Sequence, residues 1–122
     1  MSSVQSNNDK ISQWESTMRE LEEHRDNLFS QAEIYKNKAY KKLNADLCLV
    51  FNKAINSLLL GAEIDQNHEE FYIVHKMCKD ELDALRMLYK EIIKTTKAIC
   101  DLELTRSFAK LEIEKGDIAL FD

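Results

Sequence analysis

The sequence predicts an all-α protein built as a long antiparallel two-helix hairpin with coiled-coil character. Among its 122 residues there is no Pro and there are only two Gly, and 32% of the residues are charged. This composition is typical of long helices and coiled coils. Two long stretches also place apolar residues at alternating spacings of three and four, which is the a/d pattern of a coiled coil. A chain of this length is expected to form a single domain.

The first helix is predicted over residues 9–60, after residues 1–8, which are rich in Ser, Asn and Gln and expected to be flexible. The apolar series slips by one residue at "LNADL". The slip indicates either a local change in winding or a bend near residues 44–46, which would give a three-helix arrangement. Because neither Gly nor Pro marks a turn there, one continuous helix is the preferred interpretation.

A turn over residues 61–66 is predicted from Gly61, which is placed to end the first helix, and from Asn67, which is placed to cap the second. The second helix is then expected over residues 67–115.

Gly116 is predicted to end that second helix. The tail, residues 116–122, carries Ile118, Leu120 and Phe121 outside the helical series. These apolar side chains are expected either to fold back on the bundle or to act as a short docking peptide.

The hairpin also predicts which residues face each other across the two helices. With the turn centred near residue 63, Arg106 is expected close to Glu22, and Cys48 opposite Cys78. A charged residue in an apolar seam, matched by an acid, can fix the register of two helices. The chain has three cysteines, an odd number without CxxC spacing. We therefore expect buried free thiols rather than a disulfide framework.

The net charge of −5 and the pI near 5.2 argue against a nucleic-acid-binding protein that works through its overall charge. The N-terminal sequence lacks the basic and apolar regions of a secretory signal, and no apolar run approaches the roughly 20 residues that a membrane span needs. These observations predict an intracellular protein, cytoplasmic or nuclear.

Catalytic, cofactor-binding and metal sites are not expected from the motifs. The nearest group of metal ligands is His68, His75 and Cys78, but no HExxH or paired CxxC motif completes it. The two glycines cannot build a Gly-rich phosphate-binding loop, and no nucleophile motif is present. The sequence therefore predicts a non-enzymatic protein with no cofactor and no small-molecule substrate.

A wide apolar surface is predicted around residues 47–78, because "CLVFNKAINSLLLG" spreads large apolar residues over most of a helix circumference. A two-helix hairpin cannot cover such a surface, so a partner is expected on it. The residues expected to bind the partner are Leu49, Phe51, Ile55, Leu59, Tyr72 and Ile73. If they do not, the stretch is core of a more compact bundle with a real bend near residues 44–46.

The function predicted from these features is that of a coiled-coil scaffold or interaction subunit in an intracellular multiprotein complex. Its partners are helical proteins, or a second copy that completes a four-helix bundle. The alternative is contact with nucleic acid or an acidic membrane through the basic residues of "YKNKAYKK". The residues that would make this contact are Lys36, Lys38, Lys41 and Lys42.

Overall fold

The computed structural model is all-α, as the sequence predicts. It describes the backbone of residues 3–61 and 69–119, and the side chains of residues 9–61 and 69–111. The described residues form four helices and no strand. Their bounds are α1 Ser3–Lys42, α2 Ala45–Leu59, α3 Glu69–Met77 and α4 Lys79–Ala119. The long helix α1 packs against α4, which confirms a fold based on a helical hairpin.

The prediction of one continuous first helix is wrong, because α1 ends at Lys42 and a new helix is capped by Asn44. The backbone of Asn44 is extended, with φ −78° and ψ 176°. The Asn44 side chain accepts a hydrogen bond from the Leu47 amide at 2.9 Å, and its carbonyl accepts from the Cys48 amide at 2.9 Å. Asn44 is thus the N-cap of α2 and satisfies an amide that has no partner inside the helix.

Helix α2 folds back along α1, so the bend near residues 44–46 is real. The Tyr40 hydroxyl donates to the Asn52 side-chain oxygen at 2.5 Å. The ring of Tyr40 also meets the ring of Phe51 edge-on, with centroids 5.5 Å apart and an interplanar angle of 80°. Residues twelve apart in sequence meet in this way only if the chain reverses between them.

Replacing the N-cap, Asn44→Ala, is expected to lower the free energy of unfolding by about 1 kcal/mol, because the Leu47 amide loses its acceptor. Asn44→Asp should retain most of the stability, since Asp is an equally good cap. Urea denaturation would measure both changes. Asn56→Ala, at an exposed position within α2, is the matched control and should change the stability little. A loss at Asn56 as large as that at Asn44 would contradict a capping role.

Gly61 ends the α2 segment as predicted. It is the one residue with positive φ, 74°, in the described part of the chain, and its amide donates to the Leu58 carbonyl at 3.0 Å. The Leu60 amide donates to the Asn56 carbonyl at 3.1 Å. Gly takes up this left-handed conformation without the steric cost that a Cβ would bring. The predicted cap at Asn67 lies outside the described residues.

The second predicted helix is also interrupted, at Cys78. The Cys78 amide donates to the Val74 carbonyl at 2.9 Å, and the Cys78 carbonyl accepts from the Leu82 amide at 2.9 Å. Both are bonds of the ordinary helical type, so the interruption is local: α3 ends at Met77 and α4 begins at Lys79, with Cys78 between them. The nearby charges suit two separate helices. Lys76 lies in the last turn of α3, where the helix dipole favours a cation, and Asp80 lies in the first turn of α4, where it favours an anion.

The outer ends of the long helices also differ from the predicted bounds. Helix α1 begins at Ser3 rather than at residue 9, and α4 runs through Gly116 to Ala119. The prediction that Gly116 ends the helix is wrong, since a Gly inside a helix costs only about 1 kcal/mol relative to Ala and need not terminate it. The predicted roles of Leu120 and Phe121 lie outside the described residues.

The chain divides into two compact units. The central unit is Arg25–Lys94, and the terminal unit combines Met1–His24 with Thr95–Asp122. All four helices contribute to one hydrophobic core in the central unit. The buried core residues are Leu28, Ala32, Ala39, Phe51, Ile55, Leu58, Val74, Cys78, Leu82, Leu85, Tyr89 and Ile92.

The terminal unit is a narrower pairing of α1 with α4. Thr95 and Ile99 are its buried residues in the described part of the chain. The apolar residues of α1 that follow the three–four spacing here are only half-buried: Ile11, Trp14, Met18 and Leu21. Two helices alone cover a stripe of each other and leave its edges open to solvent.

Candidate functional site

Two of the six residues predicted to bind a partner lie in the core of the central unit. Phe51 is 0% exposed and Ile55 is 2% exposed. The expectation that they face away from the rest of the chain is therefore wrong. The physical reason is the reversal at Asn44, which places α2 between neighbours of the same chain and covers most of its circumference.

The other four predicted residues are at the surface of the central unit. The exposed fractions are 63% for Leu49, 37% for Leu59, 64% for Tyr72 and 41% for Ile73. Leu49 and Leu59 belong to α2, and Tyr72 and Ile73 belong to α3. The structure thus leaves part of the predicted apolar surface available to a partner.

The outward face of α3 carries a compact group of large apolar side chains. Tyr72 and Ile73 are joined there by Met77, which is 43% exposed. Ile73 and Met77 are four residues apart and so are neighbours on one helix face. Phe71 and Val74 occupy the opposite face and are buried. We call Tyr72, Ile73 and Met77 the α3 surface.

Met77 is the member of the α3 surface that the sequence reasoning did not single out. Met77 lies four residues after Ile73, a spacing that places the two on one helix face. From the sequence a surface position of Met77 could not be told from a core position, because α3 is apolar on both faces.

A second exposed apolar group lies where α2 ends. Leu60 is 85% exposed and Ile93 is 38% exposed. A Cβ added at Gly61 would lie 3.8 Å from the Cδ1 atom of Ile93, so the end of α2 is close to α4. Leu60 is the residue directly before Gly61, and Gly61 lies close to Ile93.

The basic segment of α1 is partly engaged within the chain. The Lys36 ammonium lies 3.1 Å from a carboxylate oxygen of Glu33. Lys38 lies over the ring of Tyr35, with its Nζ atom 5.3 Å from the centroid. Lys41 is exposed. The positive charge available to a phosphate group is therefore smaller than the count of lysines suggests.

Lys42 is held by a buried acid at the start of α4. Its Nζ atom lies 2.6 Å from Oε1 of Glu81, whose side chain is only 8% exposed. Oε2 of Glu81 is buried and has no hydrogen-bond partner within the described residues. Burial opposes ionisation of this carboxyl, but the hydrogen bond from Lys42 and the charges of Lys42 and Lys38 outweigh it and hold the pKa of Glu81 below its usual value.

Two of the residues weighed as possible metal ligands, Cys78 and His75, have other contacts within the chain. The Cys78 thiol is buried and donates to the Ala39 carbonyl at 3.9 Å. Its burial, together with the charge of Glu81, raises the pKa of the thiol and keeps it protonated. His75 is half-buried beside Phe71, with ring centroids 6.1 Å apart.

His68, the third member of that group, lies outside the described residues. Among the residues that are described, no cluster of three or more His, Cys, Asp or Glu side chains could hold a metal ion.

All three cysteines are free thiols. Cys48 is half-buried and Cys100 is exposed, so the prediction of buried thiols holds fully for Cys78 and is wrong for Cys100.

The register of the terminal unit differs from the predicted one. Arg106 donates through Nη2 to Oε1 of Glu15 at 2.7 Å, rather than to Glu22. Glu15 and Glu22 are seven residues apart, so both lie on the same face of α1 and that face remains towards α4.

Comparison with known proteins gave no match to a family model, to a curated protein or to a solved structure. In the part of the chain that is described, none of the helices is both long enough and apolar enough to cross a membrane. The function is therefore inferred from the geometry of the α3 surface.

Proposed function

We propose that this chain is a non-enzymatic helical interaction subunit of an intracellular multiprotein complex, which binds a helix of a partner protein on the α3 surface. The observation that carries the proposal is the exposure of Tyr72, Ile73 and Met77 on one face of α3, at 64%, 41% and 43%. Neighbouring large apolar side chains on the surface of a soluble protein mark interaction sites.

Burying the α3 surface against a partner would contribute to the free energy of binding. Removing apolar area from water contributes about 25 cal/mol per Å², so covering three large side chains contributes several kcal/mol before the cost of association. Tyr and Met are also enriched at interfaces, because a Tyr ring keeps its hydroxyl in water at the rim and Met adapts to irregular partners.

An amphipathic helix is the partner that fits the α3 surface best. Tyr72, Ile73 and Met77 present a short apolar stripe, which matches the apolar face of a second helix. Lys76 lies among them on the exposed side of α3. An acidic residue at the edge of the partner's apolar face would complement this lysine.

Contact with nucleic acid or an acidic membrane remains the alternative proposal, with less support. Lys36 and Lys42 each form an ion pair within the chain, at 3.1 Å and 2.6 Å. Binding to phosphate groups weakens steeply as salt rises, whereas an apolar helical interface does not. A complex that persists at about 0.5 M salt would favour the α3 surface over the basic segment.

Site-specific photo-crosslinking in the cells that produce the protein would test the proposal. A photoreactive amino acid at Ile73 is expected to capture a protein at a segment with an apolar helical face. The same amino acid at Gln31, an exposed position on α1, is the control and should not capture that segment.

The triple variant Tyr72→Ser, Ile73→Gln and Met77→Gln should abolish the capture, measured with the photoreactive group at the adjacent position Lys76. Circular dichroism should show unchanged helix content, because these side chains lie outside the core. Capture that is equally strong at Gln31, or that survives the triple variant, would overturn the proposal.

A further inference from the structure

Two cysteine thiols donate hydrogen bonds to backbone carbonyls at the C-terminal end of α1. The last four carbonyls of a helix have no amide partner inside that helix, and α1 ends at Lys42. The Ala39 carbonyl, one of these four, accepts a hydrogen bond from the Cys78 thiol at 3.9 Å. The Leu43 carbonyl, in the bend that follows, accepts from the Cys48 thiol at 3.8 Å. Both sulfur atoms therefore lie against the same end of α1.

The two cysteines reach this end of α1 from different elements. Cys48 lies near the start of α2, where its amide donates to the Asn44 carbonyl at 2.9 Å. Cys78 lies between α3 and α4. Their two acceptors, Ala39 and Leu43, are four residues apart, which is about 6 Å along a helix. The thiols thus occupy neighbouring positions, although the cysteines are distant in sequence.

Electrostatic interactions also place the two sulfur atoms close together. Burial raises the pKa of the Cys78 thiol, and the negative charges of Glu81 and Cys48 raise it further, against the effect of Lys42. A charge on one thiol acts on another in this way only over a short distance. Cys78 is 0% exposed, whereas Cys48 is half-buried. Cys48 is therefore the thiol that a small molecule can reach, and Cys78 is the neighbour behind it.

We propose that Cys48 and Cys78 are a redox-sensitive pair, which a small-molecule disulfide converts to a disulfide within the chain. The Cys48 thiolate attacks one sulfur of the small disulfide, forms a mixed disulfide and releases one small thiolate. The Cys78 thiolate then attacks the Cys48 sulfur and releases the second small thiolate. The protein thiols are oxidised, their protons end on the two released thiols, and the small disulfide is reduced. Excess small thiol reverses the reaction.

The disulfide links the start of α2 to the junction of α3 and α4. It closes a loop over residues 49–77, which contains most of α2 and all of α3. Closing a loop restricts the unfolded chain, so oxidation is expected to stabilise the central unit. The end of α1 loses two S–H donors, a small loss because S–H is a weak donor. The proposal concerns the core and does not rest on the proposed function of the α3 surface.

Oxidised glutathione added to the folded full-length chain would test the reaction. The background is Cys100→Ser, which removes the exposed third thiol. Peptide mapping by mass spectrometry without reductant is expected to find Cys48 joined to Cys78, and excess dithiothreitol should separate them. A chain in which Cys48 keeps its glutathione although Cys78 is present, or in which neither thiol reacts, would overturn the proposal.

The wild-type chain tests whether the fold selects this pair. The loop between Cys78 and Cys100 is shorter than the loop between Cys48 and Cys78, so a chain unfolded in urea favours the Cys78–Cys100 disulfide. The folded chain is expected to give the Cys48–Cys78 disulfide instead. A folded chain that yields the same mixture of disulfides as the unfolded chain would contradict the selection.

Urea denaturation tests the effect on stability. In the Cys100→Ser background, the oxidised chain is expected to unfold at a higher urea midpoint than the reduced chain. Cys48→Ser in the same background removes the reachable thiol, so its midpoint should be the same under oxidising and reducing conditions. An oxidised midpoint equal to or below the reduced one in the chain that retains both cysteines would show that the disulfide does not stabilise the central unit and would overturn this part of the proposal.

Discussion

Phe51→Ala is expected to lower the free energy of unfolding by about 3–5 kcal/mol, the largest effect of any single change considered for this chain. Phe51 is 0% exposed and belongs to the core formed by all four helices. Its ring packs edge-on against Tyr40, with centroids 5.5 Å apart. Removing it takes away buried apolar surface and leaves a cavity that the surrounding helices can fill only in part.

The control for this change is Leu49→Ala, on the same helix and 63% exposed. It should change the free energy of unfolding by no more than about 0.5 kcal/mol. Denaturation in urea, followed by circular dichroism, measures both variants. Equal effects at Phe51 and Leu49 would mean that α2 does not lie in the core and that the surface predicted from the sequence is the correct one.

The second large effect concerns the Lys42–Glu81 ion pair. Glu81→Gln is expected to lower the free energy of unfolding near neutral pH, since the attraction between the Glu81 carboxylate and the Lys42 ammonium group is lost. Burial alone would raise the pKa of Glu81, but Lys42 and Lys38 hold it below its usual value. The stabilisation is therefore present above the pKa of the unfolded chain and is lost as the pH falls through the lower pKa of the folded chain.

The pair has an alkaline limit as well. The hydrogen bond to Glu81 raises the pKa of Lys42. Its contribution is present below the pKa of the unfolded chain and is lost as the pH rises through the higher pKa of the folded chain. The advantage of the wild-type protein over Glu81→Gln should thus be greatest between these two limits. Urea denaturation across the pH range measures it, and an advantage that does not shrink in acid would contradict the pairing.

Lys42→Met should weaken the acid dependence that Glu81 contributes. Without Lys42 the carboxyl keeps the cost of desolvation but loses its hydrogen-bonded cation, so its pKa is expected to rise from that of the wild-type protein. A folded-state pKa closer to that of the unfolded chain means that less stability is lost as the pH falls. Lys41→Met, at the exposed neighbouring position, is the control and should leave the wild-type dependence unchanged.

The bend at Asn44 could not be decided from the sequence alone. The slip in the apolar series was visible at "LNADL", and Asn is among the best N-cap residues. Without Gly or Pro, however, a local change in winding explained the slip equally well. A bend forms when burying the apolar side chains of α2 stabilises the folded chain more than ending α1 destabilises it. The residues that bury α2 are distant in sequence, so the local sequence does not show this balance.

The α3 surface was predictable in part, because Tyr72 and Ile73 were identified from the sequence while Met77 was not. Phe51 and Ile55 were assigned to the same surface, although they are 0% and 2% exposed. A large apolar side chain favours a core and an interface for the same physical reason, which is its removal from water. Exposure in the folded chain is needed to tell the two apart.

The sequence by itself determined that this chain is helical, because composition and apolar period act through local backbone preference and face-by-face burial. It also determined the end of α2 at Gly61, where a positive φ of 74° favours glycine. The tertiary structure alone decided that Arg106 pairs with Glu15 and that α2 is core. Glu15 and Glu22 occupy equivalent positions one heptad apart, so the apolar spacing alone does not choose between them, and the packing of the folded helices decides.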